Sequence, residues 1–214
     1  MIDHLVAVGP YDKIPALHGP HHEHAFDPDR HERYDDVKKR FVDDVYAQFE
    51  VLPLIPALNR VYQVDAHLVA YVVHRDGVPL THQPRITKSA LEYVEKELGY
   101  RLYASVIFLD IDNDPHEPWT PEMRRKAFEQ YAEWDKADIV TWGIYHTKNG
   151  ARFVQPISKK VPIADFEDYM EEFREKIKAL GVKVDERCKD WTRVYRLPNV
   201  FRGGQKYHSP YVRL

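Results

Sequence analysis

Cysteine is almost absent. Cys188 is the only one among 214 residues, so no disulfide can form within the chain, and a reducing cytosol is the compartment that fits. Long apolar runs are missing as well. Nothing approaches the roughly 20 residues of a membrane span, and the N-terminus lacks the charged-then-apolar order of a signal peptide. The expectation is a soluble, cytoplasmic protein with no membrane partner. Charge of one sign is not in excess: 31 Lys and Arg stand against 34 Asp and Glu, a net charge of −3. The whole molecule is therefore not a polycation for nucleic acid, which leaves only a local basic patch for that purpose. Glycine is scarce beside proline, 9 against 15, which points to punctuated loops rather than a flexible linker. The length suits one large domain or two small ones with a real core. There is no internal repeat and no low-complexity segment.

What is present reads as a mixed α and β chain. Tyr34, Val37, Phe41, Val45 and Phe49 recur at helical steps and predict a helix from Asp27 to about Glu50. The proline-bounded "VLPLIPALN" reads as a loop. "RVYQV" and "HLVAYVVH" read as strands, the second closed by an Asp76-Gly77 turn. A capped helix in "THQPRITKSALEYVEKELGY" stops at Gly99. From Leu102 onward the order is strand, helix, strand, hairpin strand, helix, strand. The second helix ends at Gly181, "TRVYRLP" is the last strand, and a basic tail follows. That order resembles a split βαβ sheet of the ferredoxin or RNA-recognition type.

Three stretches carry chemistry. In "VIFLDIDNDP" a buried-looking strand runs straight into acid. Side chains alternate along a strand, so Asp110 and Asp112 project to one side. Two carboxylates there raise each other's pKa unless something positive lies between them, and oxygen donors suit Mg²⁺ or Mn²⁺. The plainer reading is a solvated strand end with turn residues after it. The second stretch is the hairpin "YHTKNGARFVQPI". Its Asn149-Gly150 is a turn signal flanked by Lys148 and Arg152, which suit phosphate. The plainer reading is a hairpin with solvated cations. The third is "CKDWTRVYRLPNVFRGG". From Arg187 to Leu214 there are seven Lys or Arg and a single acid, Asp190, interleaved with Trp191, Tyr195, Phe201, Tyr207 and Tyr211. Basic residues with aromatics suit phosphate backbones and stacked bases. Asp190 either joins a metal site, or caps the strand or pairs with a neighbouring arginine.

A hydrophobic strand ending in Asp-x-Asp, a Thr-x-x-Gly-x-Arg hairpin and then "DWTRVYRLPNV" resemble, in that order, the archaeo-eukaryotic primase superfamily. The likeness is to the primase-polymerase domains of phage and plasmid replication, and it covers roughly residues 100–204. The resemblance implies an α+β primase-polymerase core. An N-terminal αβ module (1–99) would precede an RNA-recognition-like catalytic module (100–214), the whole allowing for a domain excised from a longer protein. It implies a DNA-directed primase and DNA polymerase transferring (d)NTPs on a single-stranded DNA template. Asp110, Asp112 and Asp190 would hold two Mg²⁺ or Mn²⁺ ions. Lys148, Asn149, Gly150, Arg152, Arg193 and Arg196 would hold nucleotide, and Arg202, Lys206 and Tyr207 would hold DNA. A replicative helicase domain in the same or another chain is the implied partner. Many members carry a histidine in the second motif where this chain has Arg152.

Two other readings compete. One is an inactive module of the same fold gripping single-stranded DNA. The other is a metal-dependent nuclease, for which His146 is the nearby candidate base. The histidines at 18, 21, 22, 24 and 31 read as a solvated N-terminal segment rather than a zinc site. His67, His74 and His82 read as structural. Tyr34, Phe41, Phe49, Phe128, Tyr131 and Trp134 read as core on helical spacing.

Overall fold

In the computed structural model, Val106-Ile107-Phe108-Leu109 lies within a strand of 12 residues, Arg101–Asp112, and all four side chains are buried. A continuous apolar run is what a strand covered on both faces requires. The structure describes residues 4–10, 32–35, 40–43, 49–83, 85–112, 119–126, 129, 143–147, 150–179, 181, 184–209 and 212–213. The strands in chain order are β1 (Leu5–Pro10), β2 (Glu32–Asp35), β3 (Arg40–Asp43), β4 (Phe49–Pro53), β5 (Ala66–Val69), β6 (Tyr71–Arg75), β7 (Val78–Pro79) and β8 (His82–Gln83). They continue with β9 (Arg101–Asp112), β10 (Gly143–His146), β11 (Gly150–Pro162), β12 (Tyr195–Arg196), β13 (Asn199–Arg202), β14 (Gln205–His208) and β15 (Val212–Arg213). The helices are α1 (Leu54–Asn59), α2 (Lys88–Lys96), α3 (from residue 121) and α4 (Ile163–Ala179).

Two antiparallel sheets carry the fold, in the orders β12-β5-β1-β4-β8 and β15-β10-β11-β9-β6-β7. The chain crosses between them at a bend, Ala70, which separates β5 of the first sheet from β6 of the second. One hydrophobic core spans both, from Val6 and Leu68 to Phe108, Phe166 and Tyr195. The helices pack by stripes. Ala90, Tyr93 and Val94 are the buried face of α2, and Ile163, Phe166, Met170, Arg174 and Ile177 that of α4, at three- and four-residue steps. Gly99, at φ +70°, ends α2 in the left-handed region, and the Tyr100 N–H returns to the Val94 carbonyl. Thr120 starts α3: its hydroxyl accepts from the Met123 N–H at 3.2 Å. Among the described residues no helix is long and apolar enough to cross a membrane.

Several expectations need correction. The helix from Asp27 to Glu50 is not there: its described residues form β2, β3 and the start of β4. Tyr34 and Phe41 are register partners in the β2–β3 ribbon, so their spacing of two helical turns is the spacing of a cross-strand pair. Phe49 is core, as expected, but on a strand. "RVYQV" is a loop fastened by the Tyr62 N–H to the Asn199 carbonyl and by the Tyr62 hydroxyl to the Ala57 carbonyl. "VLPLIPALN" holds the end of β4 and the short α1. Pro56 is tolerated because a first-turn N–H has no helical partner to lose. The basic tail is a hairpin, β13–β14, turned by Gly203 and Gly204 at φ +55° and +77°.

The sheet order also differs from a self-contained split βαβ unit. β10, β11 and β9 lie side by side as that unit requires. The next place, beside β9, is taken by β6 from the N-terminal half, while β12 pairs with β5 in the other sheet. Residues before and after 99/100 therefore share both sheets. His67 and His74 are buried on β5 and β6, as expected of structural histidines, and His82 lies on β8. The histidines at 18, 21, 22, 24 and 31, together with Phe128, Tyr131, Trp134, Lys148, Asn149 and Tyr211, lie outside the described residues.

Candidate active site

The antiparallel register puts Tyr145 of β10 opposite Arg152 of β11, and Arg152 opposite Asp110 of β9. Directly opposed residues share a face, so these three form one row across the sheet. The row is fully bonded. Arg152 Nε donates to Asp110 Oδ1 at 2.5 Å and Nη2 to Oδ2 at 3.0 Å, while Nη1 donates to the Tyr145 hydroxyl at 3.0 Å and the Arg196 carbonyl at 2.8 Å. The guanidinium carbon sits 4.9 Å from the centre of the Tyr195 ring and 5.5 Å from that of Tyr145. Tyr195 in turn stacks on Phe108 with 5.0 Å between ring centres. Burial by itself would lower the Arg152 pKa; Asp110 and Tyr145 more than offset it and leave it well above the ordinary value. Burial likewise raises the Tyr145 and Tyr195 hydroxyls, so both stay protonated donors.

The segment after α4 closes over this row. Arg193 Nη2 lies 2.8 Å from Asp110 Oδ2 and 2.8 Å from Asp185 Oδ2. The Asp185 N–H donates to the Asp110 carbonyl, and the Cys188 thiol accepts from the Asp110 N–H at 3.1 Å. Among the described side chains, the two carboxylates of Asp110 and Asp185 thus balance the two guanidiniums of Arg152 and Arg193. Donor atoms of Asp110, Asp185 and Cys188 lie within 4.8 Å of one another and could hold a metal ion. Their chemistry is unequal. Burial, then the Asp110 charge, pushes the Cys188 thiol up to about 12, so it is a neutral thiol with a hydrogen bond to accept. The two carboxylates are the donors that suit a hard divalent cation.

The sequence-predicted residues fall as follows. Asp110, Arg152 and Arg193 are brought together. Asp112 ends β9, its backbone paired with Gly150. Asp190 lies elsewhere: Oδ1 accepts from the Thr192 N–H at 3.0 Å and hydroxyl at 2.8 Å, and lies 3.8 Å from Lys88 Nζ. Those bonds close a local turn, and among the described residues the acid that Arg193 joins to Asp110 is Asp185. Arg196 is held by Asp65 through two bonds, 2.7 and 3.1 Å. Arg152, Arg196, Arg202 and Tyr207 line one cavity of about 240 Å³, joined by Arg124 and His208. Lys206 faces Phe201 across the hairpin on the face opposite Tyr207 and Val200. Sequence reasoning missed Asp185, Asp65, Tyr145 and Cys188. For Asp185 a signal exists: "VKVD" is again an alternating apolar run that ends in acid. For Asp65 there is none, because Arg196 lies 131 residues away; for Tyr145 the hairpin itself is the signal, since it pairs Tyr145 with Arg152 seven residues on.

His67, buried beside Asp65 and Arg196, gives a pH test. Burial, then the Arg196 charge, lowers its pKa to about 4. The unfolded chain takes up the proton near pH 6.5 and the folded chain does not until about 4, so stability is highest above 6.5 and falls as pH drops through that window. The expected slope is roughly 1.4 kcal/mol per pH unit at most. Urea midpoints at pH 7 and 5 should separate for the native chain, and His67→Gln should narrow the gap.

Comparisons of this chain with protein-family models, with curated proteins and with solved structures found no match.

Proposed function

We propose that the protein is a template-directed nucleotidyltransferase, a primase-polymerase domain that joins nucleotides on single-stranded DNA. One observation carries this reading: the three motif stretches, far apart in sequence, supply Asp110, Arg152 and Arg193 to a single ion cluster, together with Asp185. Asp110 and Asp185, with Asp112 at the same strand end, would hold the divalent ions. Mg²⁺ or Mn²⁺ bound there would neutralise charge on the transferring phosphoryl group and favour attack by a 3′ hydroxyl. Arg152 does not reach out for phosphate in this arrangement. It fixes the Asp110 carboxylate in one orientation, a positioning role that a rigid bidentate fork performs well.

The adjoining cavity supports the nucleic-acid side of the reading. Arg124 and Arg202 have no carboxylate partner among the described residues, and Tyr207 stands 41% exposed at the rim. Cations with an exposed ring suit a phosphodiester and a stacked base. Tyr207→Ala should weaken binding of a labelled single-stranded oligonucleotide by about 1–3 kcal/mol. Arg202→Ala should weaken it and lower the slope of log affinity against log salt by about one. Fluorescence anisotropy over a salt series reads both.

The reading itself is tested by incubating the chain with primed and unprimed single-stranded DNA, labelled nucleotides and Mg²⁺ or Mn²⁺, and resolving products on a sequencing gel. Extension of the primer establishes the polymerase, and product on unprimed DNA the primase. Binding without synthesis favours the inactive DNA-gripping module. A shortened template favours the nuclease.

A further inference from the structure

We propose that Arg193 holds the place of a cation between Asp110 and Asp185, and that entry of a divalent ion frees it to bind an anion in the adjoining cleft. Cation and phosphate binding are then coupled through one side chain. The proposal rests on the nucleotidyl-transfer reading of the same carboxylates.

The two arginines on Asp110 are held differently. Arg152 uses three nitrogens, is covered by two tyrosine rings and has a side chain only 9% exposed. Arg193 bridges both carboxylates with the single nitrogen Nη2, and its side chain is 23% exposed. One N–H₂ group between two acids is the minimum that stops them repelling each other, and a divalent ion there does the same with more charge. Arg152 is therefore the fixed support, and Arg193 is the group an entering ion displaces.

The structure provides a destination for it. Arg193 lines an open cleft of about 650 Å³ with Arg85, Lys88, Lys189, Thr192 and Val194, and with three acids. Each acid is already engaged: Glu167 with Lys88, Glu186 with Arg174 and Lys178, and Asp190 with Thr192. Arg85 and Lys189 have no carboxylate partner among the described residues. Arg193 released into this cleft joins two cations with no carboxylate partner among the described residues, a set suited to a multiply charged anion such as a phosphate chain. By linkage, an anion that holds Arg193 in the cleft must also tighten the cation site, and by the same factor.

The test is Mn²⁺ binding, read by electron paramagnetic resonance of the free ion, with and without sulfate at constant ionic strength. Sulfate is the probe because it sequesters Mn²⁺ weakly. In the native chain sulfate should tighten Mn²⁺ binding. Arg193→Gln should bind Mn²⁺ about tenfold tighter without sulfate, within the usual range of such couplings, and sulfate should then change nothing. Lys189→Gln, which removes one cation of the cleft but no bridge between the carboxylates, should leave Mn²⁺ binding without sulfate near the native value and weaken the sulfate effect. Arg193→Lys keeps the charge but ends its shorter stem short of the place that Nη2 holds between the two carboxylates, and should bind Mn²⁺ tighter than the native chain; it decides the matter if the glutamine variant does not fold. Mn²⁺ binding that is unchanged or weaker in the two Arg193 variants, or a sulfate effect that survives in Arg193→Gln, overturns the proposal and leaves the transferase reading standing. No Mn²⁺ binding to any of the chains overturns both.

Discussion

Replacing Arg152 with alanine should destabilise the protein by about 3–5 kcal/mol, the range for removing one member of a buried ion pair. The loss has several parts. Asp110, 4% exposed, keeps on its carboxylate, among the described residues, only the Arg193 bond. The Tyr145 hydroxyl and the Arg196 carbonyl lose a donor, and the Tyr195 ring loses the cation stacked on it. Asp110→Ala should cost a similar amount for the converse reason, since it strands the buried Arg152 guanidinium. The double change Asp110→Leu with Arg152→Met should cost clearly less than the sum of the singles, because an apolar pair leaves no unbalanced charge in the interior. Urea unfolding followed by tryptophan fluorescence gives all the values, and singles that each cost less than 1 kcal/mol would show the pair to be well solvated. One consequence concerns activity assays: a dead Asp110→Ala protein is uninformative unless its folding is checked, so Asp110→Asn is the better variant.

The second large effect separates two aspartates that look alike in sequence. Asp185→Asn should lower nucleotide incorporation at least about a hundredfold, as expected when a group that neutralises charge at the reacting phosphate is lost. Asp190→Asn should lower it less than about tenfold, since an asparagine oxygen can still accept from the Thr192 N–H and hydroxyl that Asp190 caps. Primer extension with both variants at saturating nucleotide reads the difference. A dead Asp190→Asn beside an active Asp185→Asn would return the third carboxylate to the position expected from sequence.

The reason sequence points to Asp190 is plain. It stands next to "WTRVYRLP" as the lone acid in a basic stretch, whereas Asp185 is one acid in "DERCKD". Which of two acids five positions apart reaches a site depends on how the chain turns between them, and a short 3₁₀ turn at Glu186–Lys189 separates them. The tip of β9 was legible because apolar run and acids are contiguous. Arg152 was legible as a cation beside a turn, but not as the partner of Asp110, because register is a property of two strands together. The helix expected over 27–50 failed for a related reason: a hairpin pairs residues whose spacing imitates two helical turns. The ends of α2 and α4 were legible because Gly99 and Gly181 occupy the left-handed region, and that need is local.

The placement of β12 has a consequence for how the chain is made. Its partner β5 lies in the first third of the protein, and the Arg196–Asp65 pair that accompanies it spans 131 residues. During synthesis the His67–Leu68 edge therefore emerges long before the strand that covers it. Contacts this distant form late and slowly, and an uncovered strand edge is where newly made chains stick to one another. Arg193, which balances the charge of Asp110, arrives on that same late segment. The ion cluster at Asp110 and the vulnerable edge are thus completed in a single docking event, so a ribosome-bound chain halted before residue 195 should need a chaperone that the finished protein does not.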